Sequence, residues 1–353
     1  VAIDWTRGMR QEFGFCEVDP LTWHDARDLR EVSSCVVTRD LSKRTWESGT
    51  IEVSDSGWLS GERIVRCYLT ATQGGESERV CVATLAFQGE TAERDGATSA
   101  TSAEGYGLLQ DLAVEPPFGY CASGDPSDAI ARIVSDSTCR APYVGRDGLA
   151  ALDAPMWPND SDLFCDLAAA VAERAGCGLV TDELGRVTLV PTRATEALRP
   201  SWTFGRDNCI IRPRVTRRTD LFGIPNWCEV TVSDGLSTVV GTAENDEPAS
   251  PTSTARRGHR VPLRASNPAG LSPRCTQAEA DAFAARMLAE ASVVTTTWEY
   301  SHAWVPIRPG DAVLLDVDGM GPVVAKVESQ EIVLQTGVEV RETATSTERT
   351  WGS

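Results

Sequence analysis

Residues 157–191, WPNDSDLFCDLAAAVAERAGCGLVTDELGRVTLVP, constrain the fold more than any other part of the chain. Apolar residues recur at Leu163/Phe164, Leu167/Ala168, Val171 and Ala175, the spacing that stacks side chains on one face of a helix. Asp160 or Ser161 stands where an N-cap oxygen would accept a free backbone N–H, and Gly176 follows where a left-handed C′ position favours glycine. Leu179 and Val180, then Asp182-Glu183-Leu184-Gly185, then Val187, Leu189 and Val190 predict a hairpin. A helix of this length is marginal alone in water, whereas burying Leu163, Phe164, Leu167 and Val171 contributes roughly 1.5–3 kcal/mol each. The unit is therefore expected to be the packing centre of a middle α/β domain. Asp182 and Glu183 read as turn residues, and Cys165 and Cys177 lie too far apart for a local motif.

The flanking sequence is strand-like. Runs at 32–38, 50–53, 64–72 and 80–88 are β-branched or aromatic-rich, and Asp55-Ser56-Gly57 and Gln73-Gly74-Gly75 are turn signals, which together predict a small barrel or sandwich. Residues 90–102 turn to Gly, Ala, Ser, Thr and charge and read as a linker or loop. A short helix is expected at 103–112, grouping Tyr106, Leu109 and Leu112, with Glu115-Pro116-Pro117 ending it. Asp125-Pro126-Ser127-Asp128 predicts another helix start. Strands are expected at 208–216, 227–233 and 236–242, followed by a long loop at 243–272. Thr276-Gln277-Ala278-Glu279 is a capping box opening an amphipathic helix, and strands at 293–300, 312–317, 323–327, 332–335 and 338–345 close the chain. The plan is β, then α/β, then β.

Charge and motifs exclude several classes of function. The net charge of −18, from 51 acidic against 33 basic residues, disfavours broad gripping of nucleic-acid phosphates. No apolar run reaches the ~18 residues of a membrane span, and no secretory leader opens the sequence, so no membrane anchor and a cytoplasmic address are expected. Eleven cysteines occur without a C-x-x-C pair and read as buried small hydrophobes in a reducing compartment. No Walker A loop, dinucleotide-binding fingerprint, zinc-protease helix or nucleophile elbow is present, and His24, His259 and His302 are far apart in sequence. Asp316-Val317-Asp318-Gly319 lacks the remaining ligands of a calcium loop and reads as a β-turn. We therefore expect no catalytic residue, no cofactor and no metal ligand. The exception to the acidic balance is a set of arginines: Arg199, Arg206, Arg212, Arg214, Arg217 and Arg218, then Arg256, Arg257, Arg260 and Arg264. Of these, Arg212, Arg214, Arg217, Arg218, Arg256 and Arg257 are candidate subunit-interface residues that would meet acidic partners. The alternative is a solvated strand face, with Arg212 and Arg214 on one side at period two.

The order of motifs resembles the tail-hub, or baseplate-hub, family of tailed bacteriophages and phage-like particles. A β-rich start ends in Val82-Ala83-Thr84-Leu85-Ala86-Phe87, and Gly105-Tyr106-Gly107-Leu108-Leu109 and the Asp125-Pro126 helix follow. Next come the Trp157 helix and its Asp182-Glu183-Leu184-Gly185-Arg186 hairpin, the Asn226-Trp227-Cys228-Glu229-Val230 strand, and finally Ile307-Arg308-Pro309-Gly310-Asp311-Ala312-Val313. The resemblance implies an α+β, mostly β fold, in which two small tail-tube-like β-barrels flank an α/β domain. Its domains would be an N-terminal barrel (1–98), an α/β middle domain (99–200) and a C-terminal barrel (201–353) with one long helix (276–292). It also implies a non-enzymatic virion protein at the tail tip, assembled in the host cytoplasm as a homotrimeric ring. That ring would continue the tail tube and pass DNA without specific nucleic-acid binding. Implied partners are a distal tail or tail-tube protein, the tape-measure protein, and spike or fibre proteins. The alternatives are a hexameric distal tail protein, or a β-rich hydrolase or carbohydrate-binding module acting on host cell-surface glycans.

Overall fold

The structure, a computed structural model, describes residues 3–54, 58–59, 61–95, 98–192, 198–205, 214–317, 319–335 and 338–352. Strand accounts for 45% of it and helix for 15%, so the mostly β expectation holds. The expected turn at 55–57, most of the strand at 208–216, Arg206, Arg212 and Asp318 lie outside the described residues. By contacts the chain forms two units, residues 1–215 with 299–344, and residues 216–298 with 345–353.

In the first unit the strands are β1 (Arg10–Val18), β2 (Asp25–Asp28), β3 (Val32–Asp40), β4 (Glu47–Val53), β5 (Arg63–Gln73), β6 (Glu76–Asp95) and β7 (Thr98–Gly107). After them come α1 (Pro126–Asp136), β8 (Tyr143–Val144), α2 (Phe164–Arg174), β9 (Cys177–Thr181), β10 (Val187–Pro191) and β11 (Trp202–Phe204). The second unit supplies β12 (Thr216–Thr219), β13 (Trp227–Ser233), β14 (Thr238–Glu244), α3 (Thr254–Arg257), β15 (Pro262–Ser266) and α4 (Gln277–Ala291). The chain ends with β16 (Val293–His302), β17 (Ala312–Val317), β18 (Gly321–Leu334) and β19 (Glu339–Arg349).

Hydrogen-bonded neighbours run β18-β3-β4-β7-β6-β5-β1-β2, all antiparallel. Inward positions alternate with outward ones, as the period of two demands. Cys35 on β3 and Cys67 on β5 stand four strands apart in this order, about 19 Å along a flat sheet, yet their sulfurs are 3.8 Å apart. The sheet therefore curls over its own core, in which Val37, Ile51, Val65, Leu69, Leu85 and Phe87 are sealed from water. Its strands do not close into a barrel among the described residues.

Three sequence expectations change here. Residues 90–102 are not a linker: β6 and β7 pair from Leu85↔Gly107 out to Asp95↔Thr98. Thr91, Ala92 and Glu93 are polar or small because they are exposed, while the backbone still finds partners. The expected helix at 103–112 begins later, as a 3-10 helix over Leu108–Ala113, and Tyr106 belongs to β7. The runs 323–327 and 332–335 are one strand, β18, because Gln330 turns inward between them to bond buried partners.

The α/β region packs α1 and α2 against the sheet β8-β10-β9. Asp125 caps α1 as expected, accepting from the N–H groups of Ser127 and Asp128. Helix α2 is capped at Leu163 rather than at Asp160 or Ser161: the Asp166 carboxylate reaches back to the Leu163 N–H at 2.7 Å. Gly176 takes the left-handed conformation, φ 68°, and β9 and β10 form the expected hairpin.

In the second unit β14-β13-β15 form a sheet under α4. The capping box forms as read, with Thr276 and Glu279 each accepting from the other's backbone N–H. The expected loop at 243–272 contains α3 and β15, the latter pairing in parallel with β13 from Trp227↔Pro262. Its polar composition reflects exposure of alternate β15 side chains, not absence of pairing. Gly241 on β14 lies so close to the Ala280 backbone that a Cβ would collide with it.

Leu167 is 2% exposed in the α/β core, so Leu167→Ala is expected to lower stability by ~2–5 kcal/mol in urea denaturation. Gly241→Ala should destabilise the second unit by forcing α4 away from β14, read as early loss of amide-exchange protection along α4.

Candidate functional site

The tip of the β9–β10 hairpin is held more tightly than a turn requires. Gly185 takes φ 74°, and Asp182 accepts from the Arg186 backbone N–H at 2.9 Å, closing the turn. The carbonyl oxygens at its apex then accept from the curled sheet. Glu183 O receives Thr84 Oγ1 at 2.8 Å and Cys81 Sγ at 3.0 Å, both from β6. Leu184 O receives Trp23 Nε1 at 3.0 Å, and the Arg66 guanidinium reaches the Trp23 carbonyl and Asp25 beside it. Any side chain at Gly185 would press on Thr84, 2.8 Å away. Burial lifts the Cys81 thiol to about 12, so it serves as a neutral donor.

Two buried polar clusters flank this joint. In the first, Arg39 and Glu47 form an ion pair at 2.9 Å, both sealed, with Arg39 also donating to the Val82 carbonyl. Thr181 of β9 donates to Glu47 at 3.4 Å and accepts from Trp46 Nε1 at 3.2 Å. Burial pushes the Glu47 carboxyl above its usual value although Arg39 pulls the other way. In the second cluster Glu342 accepts from Tyr300 at 2.6 Å and from Gln330 at 2.5 Å, and His302 Nε2 lies 3.3 Å from it. Phe204 packs on His302 at 4.6 Å between ring centroids. Burial, with the Glu342 charge, raises the Tyr300 phenol well above its usual value. His302 and Glu342 are almost wholly sealed from water, so their contacts act within the core, where low dielectric strengthens them.

The Pro309-Gly310-Asp311 step forms a turn into β17: Gly310 takes φ 96°, and the Asp311 carboxylate accepts from the Arg308 backbone N–H at 3.0 Å. Among the described residues no group of three or more His, Cys, Asp or Glu is placed to hold a metal ion. No sequence motif announces the two clusters. A signal did exist: Glu47, Gln330 and Glu342 fall on inward positions of otherwise apolar alternating strands, where a charge or amide left without a partner would be costly.

The candidate interface arginines divide by what they touch. Arg257 caps the carbonyls of Ile224, at 2.7 Å, and Leu221, and Arg217 lies over the Trp298 ring at 5.5 Å. Outside that set, Arg260 stacks on Trp227 at 3.6 Å and pairs with Glu244. Arg214, Arg218 and Arg256 are exposed without an ion-pair partner among the described residues. Val114, Phe118 and Trp157 are large apolar side chains left open to water, Phe118 86% and Trp157 66% exposed. The Ala122↔Met156 bridge and the Phe164 N–H to Glu115 carbonyl bond hold the segments bearing these side chains beside α2.

No family model matches the sequence, and no curated protein matches it significantly. The fold does find counterparts. A tail protein from Neisseria meningitidis MC58 superposes with a TM-score of 0.59 at 14% identity, covering 95% of this chain and 97% of that one. The 43 kDa tail protein of prophage MuSo2 from Shewanella oneidensis gives 0.61 at 15% identity, covering 95% and 98%. This chain has the fold of phage tail proteins. A Francisella PdpA–VgrG complex also contains the fold, at 0.54 and 7% identity over 96% of this chain and 58% of that one.

Replacing only one partner of the Arg39–Glu47 pair strands the other in the core. Glu47→Gln is expected to lower stability by ~3–5 kcal/mol, and Arg39→Met with Glu47→Leu to recover most of that loss, measured by denaturant titration of the three proteins.

Proposed function

We propose that this chain is a structural component of a phage-type tail, forming at the tail tip a homotrimeric hub ring that continues the tube. The observation carrying this reading is the match in fold along nearly the whole length to two tail proteins, one of them from a prophage, each covered to 97% or more. In this reading the curled sheet of the first unit, joined by β18, is an open counterpart of the N-terminal tube-like barrel, the α/β region is the 99–200 domain, and the rest of residues 201–353 supplies the second tube-like domain. A distal tail or tube protein, the tape-measure end and a spike or fibre are the partners. The net charge of −18 suits a lumen through which DNA passes without being gripped. The exposed Val114, Phe118 and Trp157 then face other tail subunits rather than solvent.

Native mass measurement of the chain assembled on its tail-tube partner is expected to give three copies. A stable six-copy ring would replace the hub by a distal tail ring. Arg214→Glu with Arg218→Glu should reduce co-purification with an acidic tail partner, most at low salt, and unchanged recovery would remove these arginines from the interface.

A further inference from the structure

Cys35 and Cys67 have no counterpart among the described residues: two thiols from non-adjacent strands, both fully sealed, with sulfurs 3.8 Å apart. A disulfide bond is about 2.05 Å, so each sulfur needs to move by less than about 1 Å, within reach of side-chain rotation. The two cysteines belong to β3 and β5, which share no backbone hydrogen bond, so a bond between them would tie together parts of the sheet that meet only because it curls. We propose that Cys35 and Cys67 form a latent disulfide latch across the curled sheet.

The oxidant is a small disulfide such as glutathione disulfide. One cysteine thiolate attacks a sulfur of the oxidant, giving a protein–glutathione mixed disulfide and releasing one glutathione thiolate. The second cysteine thiolate attacks the protein-side sulfur, forming the Cys35–Cys67 bond and expelling the other glutathione thiolate. Two protein thiols and one glutathione disulfide thus become one protein disulfide and two glutathione thiols, with the protons passing to the released thiolates. The hydrogen bond with Cys35, together with burial, raises the Cys67 thiol well above its ordinary value, so little Cys67 thiolate is present in the native protein. The latch therefore closes while the sheet is open, during folding or a rare opening, and once closed is shielded from reductants. Its use by a particle that leaves a reducing cytoplasm for an oxidising medium rests on the virion reading; the chemistry does not.

The test refolds the full chain from denaturant in a glutathione redox buffer, alkylates the remaining thiols and digests with trypsin. The expected product is residues 31–39 joined to residues 67–79, with the intact protein 2 Da lighter per bond. The oxidised protein should have an unfolded population roughly 100- to 1,000-fold smaller than the reduced one. It should also resist a phosphine reductant until denaturant is added. Cys67→Ala should abolish the stability difference and Cys228→Ala should retain it; should Cys67→Ala fail to fold, the wild-type peptide map decides alone. Alkylation of both cysteines, or their bonding to other partners, would overturn the proposal, as would a linked protein no more stable than the reduced one. These outcomes are separate from the copy number measured in the tail, so either reading can fail alone.

Discussion

Everything in the first unit depends on how the 182–185 turn is gripped. A two-stranded hairpin is at best marginal in water, and β8 adds only two residues to β9 and β10. The hairpin persists because its apex carbonyls are satisfied by Thr84 and Cys81 of the curled sheet and by Trp23 between β1 and β2, while Thr181, next to the turn, meets the buried Glu47. Each bond contributes about 0.5–1.5 kcal/mol, and losing any would leave a desolvated carbonyl behind. The α/β core and the curled sheet are thereby fixed to one another through backbone oxygens, whose positions depend on the turn geometry more than on side-chain identity.

The curl has an electrostatic consequence. Rolling a sheet over itself buries every inward position, including Arg39, Glu47, Gln330 and Glu342. These groups are tolerated because each finds a partner on a neighbouring strand, and the same partners narrow the registers the strands can adopt. A slip of β18 by one residue against β3 would turn Gln330 away from Glu342 and the Ile307 carbonyl. The polar clusters serve as register pins in a sheet whose apolar residues alone, Val and Ile on many strands, would accept several alignments.

Much of the fold was legible because local causes produce it. The capping box at Thr276 and Glu279, the Asp125 cap, Gly176 and the 182–185 turn are all decided within a few residues. What was not legible has long-range causes. Residues 90–102 look like a linker because their side chains face water, and only the pairing of β6 with β7 makes them strand. Leu163 became the N-cap of α2 because Asp166, already inside the helix, supplies the acceptor. β15 was hidden in a loop-like sequence because its partner lies some 35 residues earlier. Of the candidate arginines, composition could not separate Arg257, committed to carbonyls, from Arg218 and Arg256, which remain exposed.

One pairing has a consequence in time. β3 bonds β4 on one edge and β18 on the other, joining Asp40 to Ser329. During synthesis at about 5–20 residues per second, the β18-facing edge of β3 waits roughly 15–60 s for its neighbour to be made. Until then the nascent chain carries an unpaired row of N–H and C=O groups beside apolar side chains, the arrangement most prone to recruit another copy. Yield of this protein should thus be governed by how that edge is shielded on the ribosome, and slower translation lengthens its exposure.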